Sequence, residues 1–427
     1  MQGRVGERLA AEGHKWREAA PWLLLALAPA IFALTTWNYA HPDNAVQSWI
    51  RLSGAPIAVF ELLFILAAVA RGSRPAAAVR EAPAWVQGAL LLLVAIAIGT
   101  GLLVASDRGA ALLRALLMII HLLFALSVAA EAARSPASVR RLVWPAAVLG
   151  LLGFVVILAI YVAAIPDPSR FNWLRFWLGG SNVRQLGFYA CVGAAAAIGL
   201  SATAAGRRQS FAYGAAAAVF FALAFWSGTR GALVAAGAAV LIAMIRFRAL
   251  RSLRAWSILI ASGVLGLLLS RLHRVPDRHF GFVRMEAQPG GGELGGLGSG
   301  RLSVWRKTWE AVQDRPFFGH GQGQFRQLSH ESLWTTYNHP HNVLLQALFD
   351  WGFLGTACLA GLAWFVALRC WRATKRPNDQ QLPAFLVAAA LLTMSLYEGS
   401  AFHTYPLMMI ALSLGWVLGT ASAPRPD

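Results

Sequence analysis

Three stretches fix what this chain can become: Pro21 to Thr36, Gly88 to Ala105 and Ala255 to Ser270 hold no charged side chain at all. Each is about long enough to cross roughly 30 Å of hydrocarbon as a helix. Lipid gives backbone N–H and C=O groups no outside partner, so such a run must satisfy them internally as a helix. Composition agrees, with 57% hydrophobic and only 13% charged residues over 427 positions. These observations predict an all-α, polytopic membrane protein.

Reading apolar runs against their flanks gives about twelve spans: 21–39, 54–70, 85–105, 110–130, 142–164, 186–204, 211–227, 231–246, 255–271, 343–370, 383–397 and 403–420. They divide the chain into nine N-terminal spans (1–271), one large loop carrying short helices (272–340) and three C-terminal spans (341–427). The N-terminal run follows Arg4, Arg8, Lys15 and Arg17 and is too long for the apolar core of a signal peptide, which makes it an uncleaved signal anchor. With the N-terminus cytoplasmic, every inside loop is basic, as at Arg140, Arg141, Arg207, Arg208, Arg372 and Lys375. This topology puts both termini inside and the large loop outside. The net charge of +18 then reads as topology signals and headgroup contacts, and nucleic-acid binding is disfavoured. Cys191, Cys358 and Cys370 have no metal-ligand or redox spacing and read as core residues.

Arginines in short outer segments go against the charge rule and are therefore informative. Arg230 sits in Ser227-Gly228-Thr229-Arg230-Gly231, and Arg184 follows Gly179-Gly180-Ser181-Asn182. Small neighbours let a ligand approach the backbone, and a guanidinium gives forked contacts to phosphate. Glu61, Arg114 and His121 lie within spans, either as functional groups or as internal pairs holding helices together.

Arginine, histidine and glycine gather between Arg301 and Gly355. Gln288 to Gly300, rich in glycine, reads as a mobile flap or linker. From Leu302, one helical face carries Leu302, Trp305, Trp309 and Val312 and the other Arg306, Lys307, Glu310 and Gln313, the pattern of a helix lying in the interface. Asn338 can cap a helix and Pro340 suits a first turn, which places His339 and His341 at the positive end of a helix dipole. Open amides there can hold an anion, and the dipole keeps a histidine neutral and able to accept a proton. A neutral histidine beside a phosphorylated leaving group suits a general base. His339 and His341 both remain candidates. The outer acidic residues Asp277, Glu286, Glu293, Glu310, Asp314 and Glu331 are scattered, so no metal site or other cofactor is expected. Arg184, Arg230 and Arg301 can hold a diphosphate in place of a cation.

His341-Asn342, nine residues, Gly352, two residues and Gly355 resemble the signature of the O-antigen ligase and polymerase family. Gly300-Arg301 with Trp305, Pro316 and Gly319-His320-Gly321-Gln322-Gly323 is similar to the segment preceding it in that family, and Ser227 to Gly231 resembles its arginine turn. The resemblance covers roughly residues 180–360. It implies a bacterial inner-membrane glycosyltransferase with a periplasmic active site, acting without metal or ATP. Its donor would be a glycan on undecaprenyl diphosphate and its acceptor a sugar hydroxyl of lipid A-core. By this resemblance His341 maps to the motif histidine, and Arg230 and Arg301 to the two motif arginines. A polymerase of the same superfamily, joining two lipid-linked repeats, is the nearest alternative. A protein-glycosylating member would continue into a sizeable domain after the last helix, whereas this sequence ends at Asp427. A transporter for the lipid-linked glycan would need a polar route through the bundle, joining Glu61, Arg114 and His121 to both faces.

Overall fold

The computed structural model describes residues 2–37, 55–173, 178–179, 183–275, 281, 301–332, 338–375 and 378–422, with side chains throughout except at 2–17, 55 and 329–332. Within these residues the regular structure is helical. The helices are α1 (Gln2–Thr35), α2 (Ala55–Ala70), α3 (Pro75–Arg80), α4 (Ala84–Leu103), α5 (Arg108–Arg134), α6 (Ala137–Ala163), α7 (Leu186–Thr203), α8 (Arg207–Trp226), α9 (Arg230–Met244), α10 (Leu253–Leu269), α11 (Arg301–Asp314), α12 (Phe325–Ser332), α13 (Val343–Ala373), α14 (Gln381–Ser395) and α15 (Thr404–Ser422). Each of the twelve expected runs falls on one of these helices. Eight are long and apolar enough to cross a membrane, and α2, α9, α10 and α14 are apolar but shorter. The chain is thus a multi-pass helical membrane protein.

The centre of the bundle is α7, α14 and α15. α7 packs against α8 and α14, α15 against α5 and α14, and α9 against α14. α1 and α6 cover one flank, α4 and α13 another. Lipid tails are as apolar as leucine, so helices in a bilayer associate through close van der Waals fit and small residues. Glycine placement shows this directly. A Cβ at Gly415 would lie 2.4 Å from the Ala125 carbonyl oxygen and one at Gly419 2.2 Å from that of Ala129, so this i,i+4 pair lays α15 on the backbone of α5. Above that seam the fully buried Trp416 meets Trp22 and Trp144 edge to face, at centroid distances of 5.3 and 6.5 Å. Cys191 and Cys370 are core residues as expected, while Cys358 is partly exposed.

The large loop is described at 272–275, 281, 301–332 and 338–340; the expected flap at 288–300 lies outside the described residues. α11 forms as predicted, but its buried face differs. Val304, Thr308, Ala311 and Val312 face the protein, whereas Leu302 and Trp309 are exposed. The reason is the partner: Val304, Ala311 and Val312 cluster with Phe325 and Phe349.

Of the intramembrane ionisable residues, Glu61 and His121 form a pair, with His121 Nδ1 2.8 Å from Glu61 Oε1. Phe124 and Val128, both fully buried, lie between this pair and the next acidic residue of α5, Glu131. Glu131 is bound by Arg71 through Nε at 3.0 Å and Nη2 at 2.6 Å.

Candidate active site

The site grows from an unusual stretch of backbone. His341 has φ 58°, the left-handed region, alone among the described non-glycine residues. Such a conformation costs about 1 kcal/mol and persists only where surroundings impose it. Here two contacts impose it. The His341 N–H donates to Nδ1 of His339 at 3.2 Å, and the Trp305 indole N–H donates to the Pro340 carbonyl at 2.9 Å. The chain then straightens at Asn342, whose Oδ1 accepts from the amides of Leu344 and Leu345 at 2.9 and 3.1 Å. α13 therefore starts at Val343, capped by Asn342 and not by the expected Asn338, because the left-handed His341 bars the helix from starting earlier. Two of the first-turn amides expected to be open to an anion are taken by this cap.

The charge that organises the site is Glu398, in the turn between α14 and α15. Arg301, at the start of α11, forms an ion pair with it through Nη2. His341 Nδ1 lies 3.5 Å from its other oxygen. Burial works to raise the Glu398 pKa, but the hydrogen bond from His341 and the charges of Arg301, His341 and Arg184 outweigh it and bring it down to about 2. An ionised carboxylate facing Nδ1 favours the imidazole proton there and the lone pair on Nε2, the tautomer a general base needs.

His339 has a different position. It is 7% exposed, its ring lies 4.1 Å from that of His341, 4.6 Å from Phe402 and 5.3 Å from His403, and it rests on Gly399, where a Cβ would come within 2.0 Å of the ring. Burial first, and then the charges of His341, His403, Arg114 and Arg301, push its pKa well below the ordinary histidine value. Burial and Arg114 likewise bring His403 down to about 3. With Nδ1 accepting from the His341 amide, His339 supports the turn that presents His341. Arg114 closes the group from α5, stacking over the Phe402 ring at 4.2 Å and donating to the Phe402 carbonyl at 3.0 Å.

All five residues singled out from sequence reach this end of the bundle. His341 and Arg301 converge on Glu398, and Arg184 stands in the 3₁₀ turn Val183–Gln185, close enough for its charge to act on Glu398. Arg230 is exposed at the start of α9, following the turn at Gly228, φ 65°. Its neighbour Gly231 is clamped there: the Tyr397 hydroxyl donates to the Gly231 carbonyl at 2.8 Å, and a Cβ on Gly231 would lie 3.2 Å from Glu398 Cγ. Among the described residues no three His, Cys, Asp or Glu side chains are grouped so as to hold a metal ion. Sequence reasoning missed Glu398, His403 and Phe402. Glu398 is the one carboxylate between Pro383 and Thr420, and an isolated charge in an apolar stretch is the signal that could have found it.

The glycines of the motif have a separate task. Gly352, φ 63°, kinks α13. The amides of Phe353 and Leu354 leave the helix for the carbonyls of Pro316 and Phe317, at 2.7 and 3.3 Å, and the carbonyls of Phe349 and Asp350 accept from His320 and Gly321, at 2.8 and 3.0 Å. Two helical hydrogen bonds are thus exchanged for four across to the loop. Contact is so close that a Cβ at Gly319 would lie 2.5 Å from the Phe349 oxygen and one at Gly352 2.3 Å from the Phe317 carbonyl carbon.

Part of the chain resembles known proteins. The chain is 25% identical over 142 residues to a general O-oligosaccharyltransferase of Acinetobacter baylyi, a match covering 32% of this chain and 24% of that one. Residues 215–360 match the O-antigen ligase family, a span that takes in Arg230, Arg301, His339, His341 and the Gly352 kink.

Proposed function

We propose that this protein is an O-antigen ligase: an inverting glycosyltransferase of the bacterial inner membrane that moves polysaccharide from undecaprenyl diphosphate to a sugar hydroxyl of lipid A-core on the periplasmic face. The observation that carries the reading is the His341–Glu398–Arg301 group. His341 Nε2 takes the proton from the acceptor hydroxyl, whose oxygen attacks the anomeric carbon as the bond to the diphosphate breaks. Glu398 orients the ring and offsets the charge that forms on it. Arg230 and Arg184 hold the departing diphosphate, contacts that strengthen as negative charge collects there. Arg301 is turned toward Glu398 and acts on the diphosphate from behind that pair.

One displacement inverts the anomeric centre. The relative's name fits transfer of a glycan to an oxygen acceptor. Enzyme rather than transporter is favoured because the five residues gather at one end, while the Glu61–His121 pair is separated from Glu131, the next acidic residue of α5, by buried Phe124 and Val128.

The test incubates purified protein with undecaprenyl-diphosphate glycan and lipid A-core, without nucleotide and with chelator. A larger lipopolysaccharide made by the native protein and not by His341→Ala is the expected result. Near-normal product from a folded His341→Ala protein would overturn the base. Glycan extension without lipid A-core would instead make the enzyme a polymerase, and a retained anomeric configuration would rule out single displacement.

A further inference from the structure

A cavity of about 1130 Å³ lies at the opposite end of the bundle from His341. It opens where α6 begins, α13 ends and α14 begins. α14 itself connects the two ends, with Gln381 at the cavity and Ser395 three residues before Glu398. A void of this size is ample for a headgroup.

Its lining is chemically one-sided. Arg140, Arg141, Arg372 and Lys375 contribute four cations and Asp379 one anion. Arg140 is 8% exposed and fixed, donating through Nη1 to the Ser135 carbonyl at 2.6 Å and through Nε to Gln380 at 3.3 Å. Arg141, Arg372 and Lys375 are exposed at the rim. One turn beyond Arg140, Trp144 is 2% exposed, lines the cavity, and its indole N–H has no hydrogen-bond partner. A buried donor left unmatched costs stability unless something accepts from it. The N-terminus of α14 adds its partial positive charge to the same space.

We propose that this cavity is a binding site for the headgroup phosphate of an anionic membrane phospholipid. The phosphate ester lies between Arg140 and the rim arginines Arg141 and Arg372, and an ester or glycerol oxygen of the same headgroup accepts from the Trp144 indole. Forked guanidinium contacts suit a phosphate diester, and a lipid, unlike free phosphate, also covers the apolar wall formed by Leu200, Pro145 and Pro383. The site is separate from the proposed glycosyl transfer, on another face and with other residues.

The experiment titrates the full-length protein, purified in a neutral detergent and stripped of lipid, with short-chain phosphatidylglycerol, short-chain phosphatidylcholine and inorganic phosphate, reading the thermal unfolding midpoint. Saturable stabilisation by phosphatidylglycerol, at least several-fold weaker with phosphatidylcholine, is expected. Arg141→Gln with Arg372→Gln, both exposed, should raise the half-saturating concentration about tenfold while ligation at the other face is unchanged. Trp144→Phe separates the headgroup contact from bulk charge attraction and should weaken binding further. Unchanged binding by the folded double variant would overturn the site, and equal stabilisation by inorganic phosphate would overturn the lipid assignment.

Discussion

Two imidazole–carboxylate pairs stand among the described residues, and they differ in almost everything but their residue types. Glu61 and His121 project from the regular helices α2 and α5, 2.7 Å apart by the closer carboxylate oxygen, with side chains 0% and 10% exposed. Glu398 and His341 come from a turn and from a left-handed residue ahead of a helix, 3.5 Å apart, with side chains 11% and 17% exposed. The first pair is a buried cross-link between two helices. The second is held loosely, shares its carboxylate with Arg301 and feels Arg184. The proposed reactivity thus falls on the pair whose geometry is set by backbone outside helices and whose charge has further partners, not on the tighter one.

Substitutions should separate the two. His341→Ala is expected to lower the ligation rate by about a thousandfold, the ordinary contribution of a general base, with the unfolding midpoint little changed. Glu61→Ala should do the reverse, destabilising the detergent-solubilised protein by about 3 kcal/mol because the buried partner His121 loses its acceptor, while activity per folded molecule stays near native. An inactive but fully stable Glu61→Ala protein would erase the distinction. Glu398→Gln should lower kcat by about ten- to a hundredfold with KM little affected, since it orients the base and does not touch donor or acceptor. Glu398→Asp should recover part of the loss, which a purely structural role for Glu398 does not predict.

Smaller in size, but informative about the surroundings of the second pair, is the response to acid. His339 and His403 have folded pKa values below the ordinary 6.5, that of His403 at about 3. Below 6.5 the unfolded chain binds protons that the folded one refuses, so stability is present above that pH and lost as pH falls from 6.5 toward 3, by about 1.4 kcal/mol per pH unit for each group. Glu398 adds loss in the same direction between 4.5 and about 2. Thermal melts of native protein against His403→Gln across pH 7 to 5 should show the shallower dependence in the variant; equal slopes would mean that His403 is protonated in the folded state.

Much of the bundle was legible because its signal is local. Apolar runs of span length predict helices without reference to anything else, and all twelve fall on helices. Arg184, Arg230, Arg301 and the two histidines were legible as residue types out of place, polar groups at the mouths of spans beside small residues. Three things were not. The cap of α13 moved from Asn338 to Asn342 because His341 adopts a conformation no propensity favours. The buried face of α11 follows Phe325 and Phe349, which lie beyond the helix itself. Glu398 joins Arg301 across 97 positions of sequence, and nothing near either residue announces the other. Contacts of that range are decided by packing of the whole bundle, and sequence periodicity carries no information about them.

The reciprocal exchange at Gly352 gives the spacing of the motif a mechanical meaning. Between the Asn342 cap and the kink lie Val343 to Trp351, nine residues, or two and a half helical turns and about 13.5 Å. One end of that segment is bolted to the Pro316–Gly321 loop and the other carries His341, so the segment works as a gauge block that sets both the height and the azimuth of the base. Adding a single residue to it would lift His341 by about 1.5 Å and swing it by about 100°, away from Glu398. The number of residues in this segment is therefore fixed by geometry, beyond whatever packing asks of Ala347, Phe349 and Trp351.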